Sequence, residues 1–391
     1  MKRILLAFAL VLPLAAQVPY ERIRKAASEP GNWLTYSGNY SSHRFSPLSQ
    51  VNAGNVKRLK PAWVYQIRAK DKIETTPLVV DGIMYLSEPP SNVTALDTRT
   101  GRSLWHYQRI YPKDIRVCCG QVNRGVAALD DLIFVGTVDA HLVALDSKTG
   151  VVRWDSTVAD YKNGYSITVA PLAVKDKIVV GVAGGEYGVR GLVAAYEAKT
   201  GKEAWRFYTI PFPGEPGNDT WAGESWKTGS ATTWVTGSYD PDLNSVYWGA
   251  GNPGPDWNGK VRAGDNLYSD SLLALDADTG KLKWYYQFTP HDVHDWDSTE
   301  VPVLADGTVR GEKKKLVLFG NRNGFYYVLD RASGQFLAGR PYVKMTWAKG
   351  LDDSGKPILV PGMDPSVEGA KVYPSVPGGT NWFSPSYSPQ T

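Results

Sequence analysis

The sequence predicts an all-β fold assembled as a propeller, and three observations predict it. One motif, Ala-x-Asp-x-x-Thr-Gly-x-x-x-Trp, recurs along the 391 residues. Its turn glycines, Gly101, Gly150, Gly201, Gly280 and Gly334, stand 49, 51, 79 and 54 residues apart. The composition, with 14 Trp, 22 Tyr, 39 Gly and 26 Pro, is aromatic and rich in turn residues, which suits many short strands better than helices. Four strands in each period of about 50 residues describe a propeller blade. An array of β-sandwiches is the competing architecture, and the regular period argues against it.

The copies run in order. The first is Ala95-Leu96-Asp97 with Thr100-Gly101 and Trp105, and the second Ala144-Leu145-Asp146 with Thr149-Gly150 and Trp154. The third is Ala195-Tyr196-Glu197 with Thr200-Gly201 and Trp205, and the fourth Ala274-Leu275-Asp276 with Thr279-Gly280 and Trp284. A weaker fifth, Val328-Leu329-Asp330 with Ser333-Gly334, lacks the Trp. In each, an apolar strand ends at an acidic residue that can bond the turn backbone. The glycine supplies positive φ, and the next strand delivers a Trp to pack against a neighbour. Another strand pair precedes most copies. In Thr76 to Leu86 the Asp81-Gly82 pair marks its hairpin.

The long third interval holds two stretches rich in Gly, Pro, Trp and Asn, Pro211 to Trp226 and Gly251 to Asp265. Another runs from Ala338 to Gly379. Loops of that length are usually functional. Leu59 to Tyr65 reads as the last strand of a blade, and Ser386 to Thr391 as a strand approaching another turn. Five blades and part of a sixth are therefore expected here, with C-terminal blades missing from this sequence.

Met1-Lys2-Arg3, the apolar run Ile4 to Leu12 and the small residues up to Gln17 read as an export signal. The run is too short for a membrane span. The expected organisation is a signal peptide at 1–17 and one propeller domain at 18–391, in the periplasm. The net charge of +4 is small and dispersed, which argues against a nucleic-acid binder. The two cysteines, Cys118 and Cys119, are neighbours. Their Cα spacing of about 3.8 Å falls below the usual disulfide span of roughly 4.4–6.8 Å. Free thiols and a strained ring both stay open on adjacency alone. Export favours the disulfide.

Repeat, signal and cysteines together resemble the pyrroloquinoline quinone (PQQ) dependent alcohol dehydrogenases, the methanol and ethanol dehydrogenase family of eight-bladed propellers. The resemblance runs from about Trp33 to Thr391 and lacks roughly the last third of a family member. Val117-Cys118-Cys119-Gly120 followed by Asn123-Arg124-Gly125 looks like the family's vicinal disulfide and cofactor arginine. The resemblance implies that the disulfide covers one face of the flat quinone and Trp234, in Thr232-Thr233-Trp234, the other. Arg124, Arg322, Glu74, Thr168, Thr232 and Asn381 match positions that touch the cofactor. Ala183-Gly184-Gly185 stands where the family has a small polar residue, so backbone there is expected to replace one cofactor hydrogen bond.

The resemblance also implies a cation, Ca2+ or a lanthanide, held by Glu186, Asn252, Asp295 and Asp297, the oxygen donors a hard ion requires. His291 and His294 beside them suggest zinc only weakly, because the other ligands are hard oxygens. The implied mechanism has the cation polarising a quinone carbonyl and Asp295 taking the alcohol proton. A hydride passes to the quinone, then electrons pass to a soluble cytochrome c. A homodimer is left open. The rival reading is a non-enzymatic scaffold of the outer-membrane assembly type, which accounts for neither Cys118-Cys119 nor the aligned Glu, Asn and Asp. An inactive fragment is the other.

Overall fold

The computed structural model describes residues 18–69 and 72–391, so the export signal read at 1–17 lies outside the described residues. Among them, twenty strands form five four-stranded antiparallel sheets, each a meander of sequence neighbours. In the first sheet β1–β4 are Leu78–Val80, Ile83–Glu88, Asn92–Asp97 and Ser103–Tyr107. In the second β5–β8 are Ala127–Leu129, Leu132–Gly136, His141–Asp146 and Val152–Thr157. In the third β9–β12 are Leu172–Val174, Lys177–Gly181, Leu192–Glu197 and Glu203–Tyr208. In the fourth β13–β16 are Ser238–Asp240, Ser245–Gly249, Ser271–Asp276 and Leu282–Gln287. In the fifth β17–β20 are Val303–Val309, Glu312–Gly320, Phe325–Asp330 and Phe336–Pro341. A two-stranded sheet, β21 (Ala348–Leu351) with β22 (Pro357–Leu359), follows. The architecture is a β-propeller.

Local chemistry explains each sheet. Asp81 and Gly82 join β1 to β2 with φ of 49° and 83°, the double positive φ of a tight hairpin. Every motif copy spans the turn from third to fourth strand. The Asp97 carboxylate accepts from the backbone N–H of Arg99 and Thr100 at 2.9 and 3.0 Å, and from the Thr100 hydroxyl at 3.1 Å. Asp146 and Asp276 repeat this arrangement. Some inner strands are buried throughout, as β6 is, whereas outer strands such as β8 alternate between exposed and half-buried residues.

The tryptophans hold the sheets to one another. Each indole leaves its own sheet and lies on the turn glycine of the next one. Trp105 covers Gly150, Trp154 covers Gly201, Trp205 covers Gly280 and Trp284 covers Gly334. Trp63 does the same at Gly101. A Cβ at any of these glycines would come within 2.5 to 2.7 Å of the ring, so only glycine fits. Each indole N–H also donates to a carbonyl of that turn, at 2.8 Å for Thr98 and 3.0 Å for Ser147 and Ala277.

Two expected strands do not form. The 59–65 segment pairs with no strand, and only its Trp63 plays the expected part. The 386–391 segment also stays irregular, with Tyr387 N–H donating to the His43 carbonyl. Neither meets a strand edge among the described residues with which to share backbone hydrogen bonds. The N-terminal segment instead crosses the inner strands of three sheets. It touches Ala173 of β9 through Tyr40, Ser238 of β13 through Ser42, and Leu304 of β17 through Ser41. Among the described residues no helix is long and apolar enough to cross a membrane.

Candidate functional site

In an antiparallel meander the start of the first strand and the end of the second lie at the same end. Short segments at these points carry most of the chemistry-bearing residues. Glu74, Arg124, Thr168, Trp234 and Asp297 precede first strands, while Gly184, Asn252 and Arg322 follow second strands. They converge on a cavity of about 430 Å³. All fifteen residues singled out from the sequence line it. They are Glu74, Cys118, Cys119, Arg124, Thr168, Gly184, Gly185, Glu186, Thr232, Trp234, Asn252, Asp295, Asp297, Arg322 and Asn381.

A disulfide, two indoles and a guanidinium group make up part of the lining. Cys118 and Cys119 are disulfide-bonded, with Cα atoms 3.8 Å apart. The Arg124 guanidinium lies 2.7 Å from a Glu74 oxygen and donates to the Thr168 hydroxyl at 2.9 Å. It stacks over the rings of Trp234 and Trp382 at 4.8 and 5.0 Å. Burial pulls Arg124 below the ordinary guanidinium value against the pull of Glu74, and it stays charged all the same. Its Nε–H has no partner among the described residues, and neither has that of Arg322. A Cβ at Gly184, whose φ is 117°, would sit 2.2 Å from the Gly164 carbonyl oxygen, so the cavity floor there is bare backbone.

Carboxylates also line the cavity. Asp295 holds φ of 61°, uncommon for a residue with a side chain. Asp292 holds that segment by accepting from the N–H groups of His294 and Trp296 at 2.9 and 2.8 Å. Burial foremost, then the charge of Asp297, pushes the Asp295 carboxyl up to about 8 against the pull of Arg322. Burial also raises Glu186. Asp297 receives Arg322 Nη1 at 2.5 Å, Asn252 N–H at 3.1 Å and Trp234 Nε1 at 3.3 Å. Its partners thus come from three separate segments of the chain.

Among the described residues, one triple of His, Cys, Asp or Glu ligand atoms lies within 4.8 Å, namely Cys118, Cys119 and Glu186. Disulfide sulfurs carry no thiolate and are not ligands of that kind. Glu186, Asp295 and Asp297 are spread more widely than that limit, around a larger opening. The histidines stay out of it. His291 bonds the Gly264 carbonyl, and His294 stacks on Trp296 at 4.3 Å.

Sequence reasoning missed four residues. Asp256 accepts from the Asn252 amide at 2.8 Å and, with Trp257 and Trp382, lines the cavity. Arg262 is fully buried and donates to the carbonyls of Asp256 and Asp292 at 3.0 and 2.5 Å, tying the Asn252 loop to the Asp295 loop. Three of them sit in the Gly251 to Asp265 stretch, whose composition already marked it as functional.

These features fit two groups. Two guanidinium groups with unpartnered N–H donors, a disulfide and an indole suit a flat polyanion. Three carboxylates and an amide oxygen suit a hard cation.

Comparison with known proteins agrees. The family model described as PQQ glucose/ethanol/alcohol dehydrogenase, β-propeller domain, matches residues 33–342. The quinoprotein alcohol dehydrogenase PedH of Pseudomonas putida is 41% identical, over 96% of this chain and 67% of its own length. A solved quinohemoprotein alcohol dehydrogenase, ADHIIG from Pseudomonas putida, superposes with a TM-score of 0.91 at 40% identity, covering 97% of this chain and 58% of that one. A europium-containing methanol dehydrogenase does so with a TM-score of 0.90 at 39% identity, covering 95% and 69%. The chain spans about half to two thirds of the length of the curated relatives it matches.

Proposed function

Since the chain belongs to the PQQ-dependent alcohol dehydrogenase β-propeller family, we propose that it oxidises primary alcohols to aldehydes with PQQ and a Ca2+ or lanthanide ion. The observation that carries this is the meeting, in one cavity, of two guanidinium groups with unpartnered donors and a set of carboxylates around Asp295. When bound, PQQ supplies a two-electron acceptor and the cation a Lewis acid.

The chain's own groups do the rest. Arg124 and Arg322 neutralise and orient the anionic cofactor, with Thr168, Thr232, Asn381, Glu74 and the backbone of Gly184 and Gly185 setting its register. The disulfide and Trp234 provide flat surfaces. Asp295 accepts the alcohol's hydroxyl proton, while Asp292 and Arg262 keep its loop in place. Glu186, Asn252, Asp295 and Asp297 hold the cation. Electrons leave to a soluble cytochrome c in the periplasm.

The cation is a lanthanide in this reading. A trivalent ion needs more negative charge to offset its dehydration, and Asp297 adds a third carboxylate to Glu186 and Asp295. Dye reduction by short alcohols, assayed with PQQ plus calcium or lanthanum, tests both parts. Asp297→Ala is expected to abolish lanthanum-dependent turnover and to leave weak calcium-dependent turnover. No turnover with either ion sinks the enzyme reading. Equal activity with both ions, unchanged by Asp297→Ala, returns the site to calcium.

A further inference from the structure

Cys118, Cys119 and Glu186 share one stretch of the cavity wall, and each offers a ligand atom within 4.8 Å of the others. The Cys119 Sγ stands 3.9 Å from Glu186 Oε1, although 67 residues separate the two. As a disulfide the pair carries no thiolate. Cys119 is exposed, so a thiol reductant reaches its sulfur. Breaking the bond costs little fold stability, because adjacent residues close almost no loop. A dithiol supplies the two electrons. Its two S–H groups become a disulfide, the Cys118–Cys119 bond breaks, and the two protons pass to the freed sulfurs.

Reduction changes what the wall can bind. A tetrahedral zinc-class ion, at about 2.3 Å from thiolate sulfur and about 2.0 Å from carboxylate oxygen, sets that sulfur and oxygen roughly 3.5 Å apart. The 3.9 Å between Cys119 and Glu186 is already close to it. Rotation about the two Cα–Cβ bonds lets the freed sulfurs part to the spacing that two ligands need. Thiolate selects Zn2+ and Cd2+ over hard ions such as Ca2+. Two thiolates and a carboxylate carry three negative charges, which outweigh the Lys72 ammonium that donates to the Cys119 carbonyl at 3.3 Å. We propose that reduction converts the Cys118–Cys119 face into a site for a zinc-class cation, with both sulfurs and Glu186 as ligands and water in the fourth position. Binding sends the two thiol protons to solvent. Glu186 is also a ligand in the hard-cation site proposed above, so the oxidation state of one wall selects the class of ion that this carboxylate holds. The site stands whether or not the chain oxidises alcohols.

The test uses the full chain free of PQQ, reduced with dithiothreitol and cleared of reductant under argon, with Cd2+ and Zn2+ as the probes. The sequence holds two cysteines and no others, so an ultraviolet thiolate-to-cadmium charge-transfer band reports this pair alone. The expected result is one Cd2+ bound per chain with that band, its displacement by Zn2+, and no band from the oxidised protein. Glu186→Gln is expected to keep the band and to weaken Cd2+ binding by roughly tenfold or more, since even the partners of metal ligands are worth about that. Cys118→Ser combined with Cys119→Ser is expected to abolish the band. X-ray absorption of the zinc-loaded parent is expected to show two sulfur and two oxygen ligands, which decides the point should Glu186→Gln fold poorly. A shell of four sulfurs, or half an ion per chain, would mean a bridge between two molecules and would overturn the proposal. So would unchanged affinity in Glu186→Gln, no band in the reduced parent, or loss of the native near-ultraviolet dichroism on reduction.

Discussion

The outer rim and the cavity end of the propeller are built on opposite principles. At the rim the same few groups recur, and every turn carboxylate and docking indole has its partner. At the cavity end no two segments are alike, and buried polar atoms go unpartnered among the described residues. These include the Nε atoms of Arg124 and Arg322 and both carboxyl oxygens of Glu300 and of Asp270. Each such atom costs about 1–3 kcal/mol. The rim therefore satisfies its polar groups within the chain, and the cavity end leaves charged ones without partners among the described residues.

Asp295→Asn separates the two most sharply. Turnover should fall about 10²–10⁴-fold, while thermal melting of the same preparation should hold or rise, because a crowded carboxylate is gone. A marked loss of stability would place Asp295 with the rim instead. The converse substitution is Trp205→Ala, whose indole is 6% exposed on Gly280. It should destabilise by about 3–5 kcal/mol in denaturant titration with kcat per folded molecule retained. Retained stability would deny that inter-sheet indoles hold the propeller.

Acidity sharpens the contrast. At the rim, hydrogen bonds from the turn hold Asp97, Asp146 and Asp276 below the usual carboxylate value although burial opposes them. Their contribution is present above about pH 4 and is lost as pH falls through the folded values. Around the cavity, burial raises Asp295 to about 8, and raises Asp292, Glu186, Asp270 and Glu300 too. The folded state there binds more protons than the unfolded one, so stability falls as pH rises from about 4 towards 8. Melting of the cation-free protein should therefore peak in mild acid. Adding lanthanum should restore stability at pH 8, and Asp295→Asn should flatten the slope. A cation-free melting temperature that climbs steadily from pH 5 to 8 would contradict this. The smallest stability effect belongs to Cys118→Ser combined with Cys119→Ser. Adjacent residues close almost no loop, so melting should barely move while PQQ affinity drops. A cooperative loss of folding would make the disulfide a structural staple after all.

The period alone made the sheets legible, because each strand, turn and Trp is specified within a few residues. The cavity residues were legible as motifs of the resembling family. Arg262, Asp256 and Trp382 were not, since each acts on a partner distant in sequence or in an irregular loop, where no periodicity marks it. The 59–65 and 386–391 segments were read as strands from their residues alone, and a strand also needs an edge to pair with.

Thus the sequence by itself determined the repeat, its hairpins and turns, and the set of acidic, basic and aromatic residues that line one cavity. Local backbone preference and short-range hydrogen bonds are enough for that. Only the tertiary structure decided that each Trp belongs to the following sheet's glycine. Only there does Asp297 meet Arg322, 25 residues away, and only there does Glu186 meet Cys119, 67 residues away. Those outcomes depend on which strand ends are brought together, and it is the packing of one sheet against the next that brings them there.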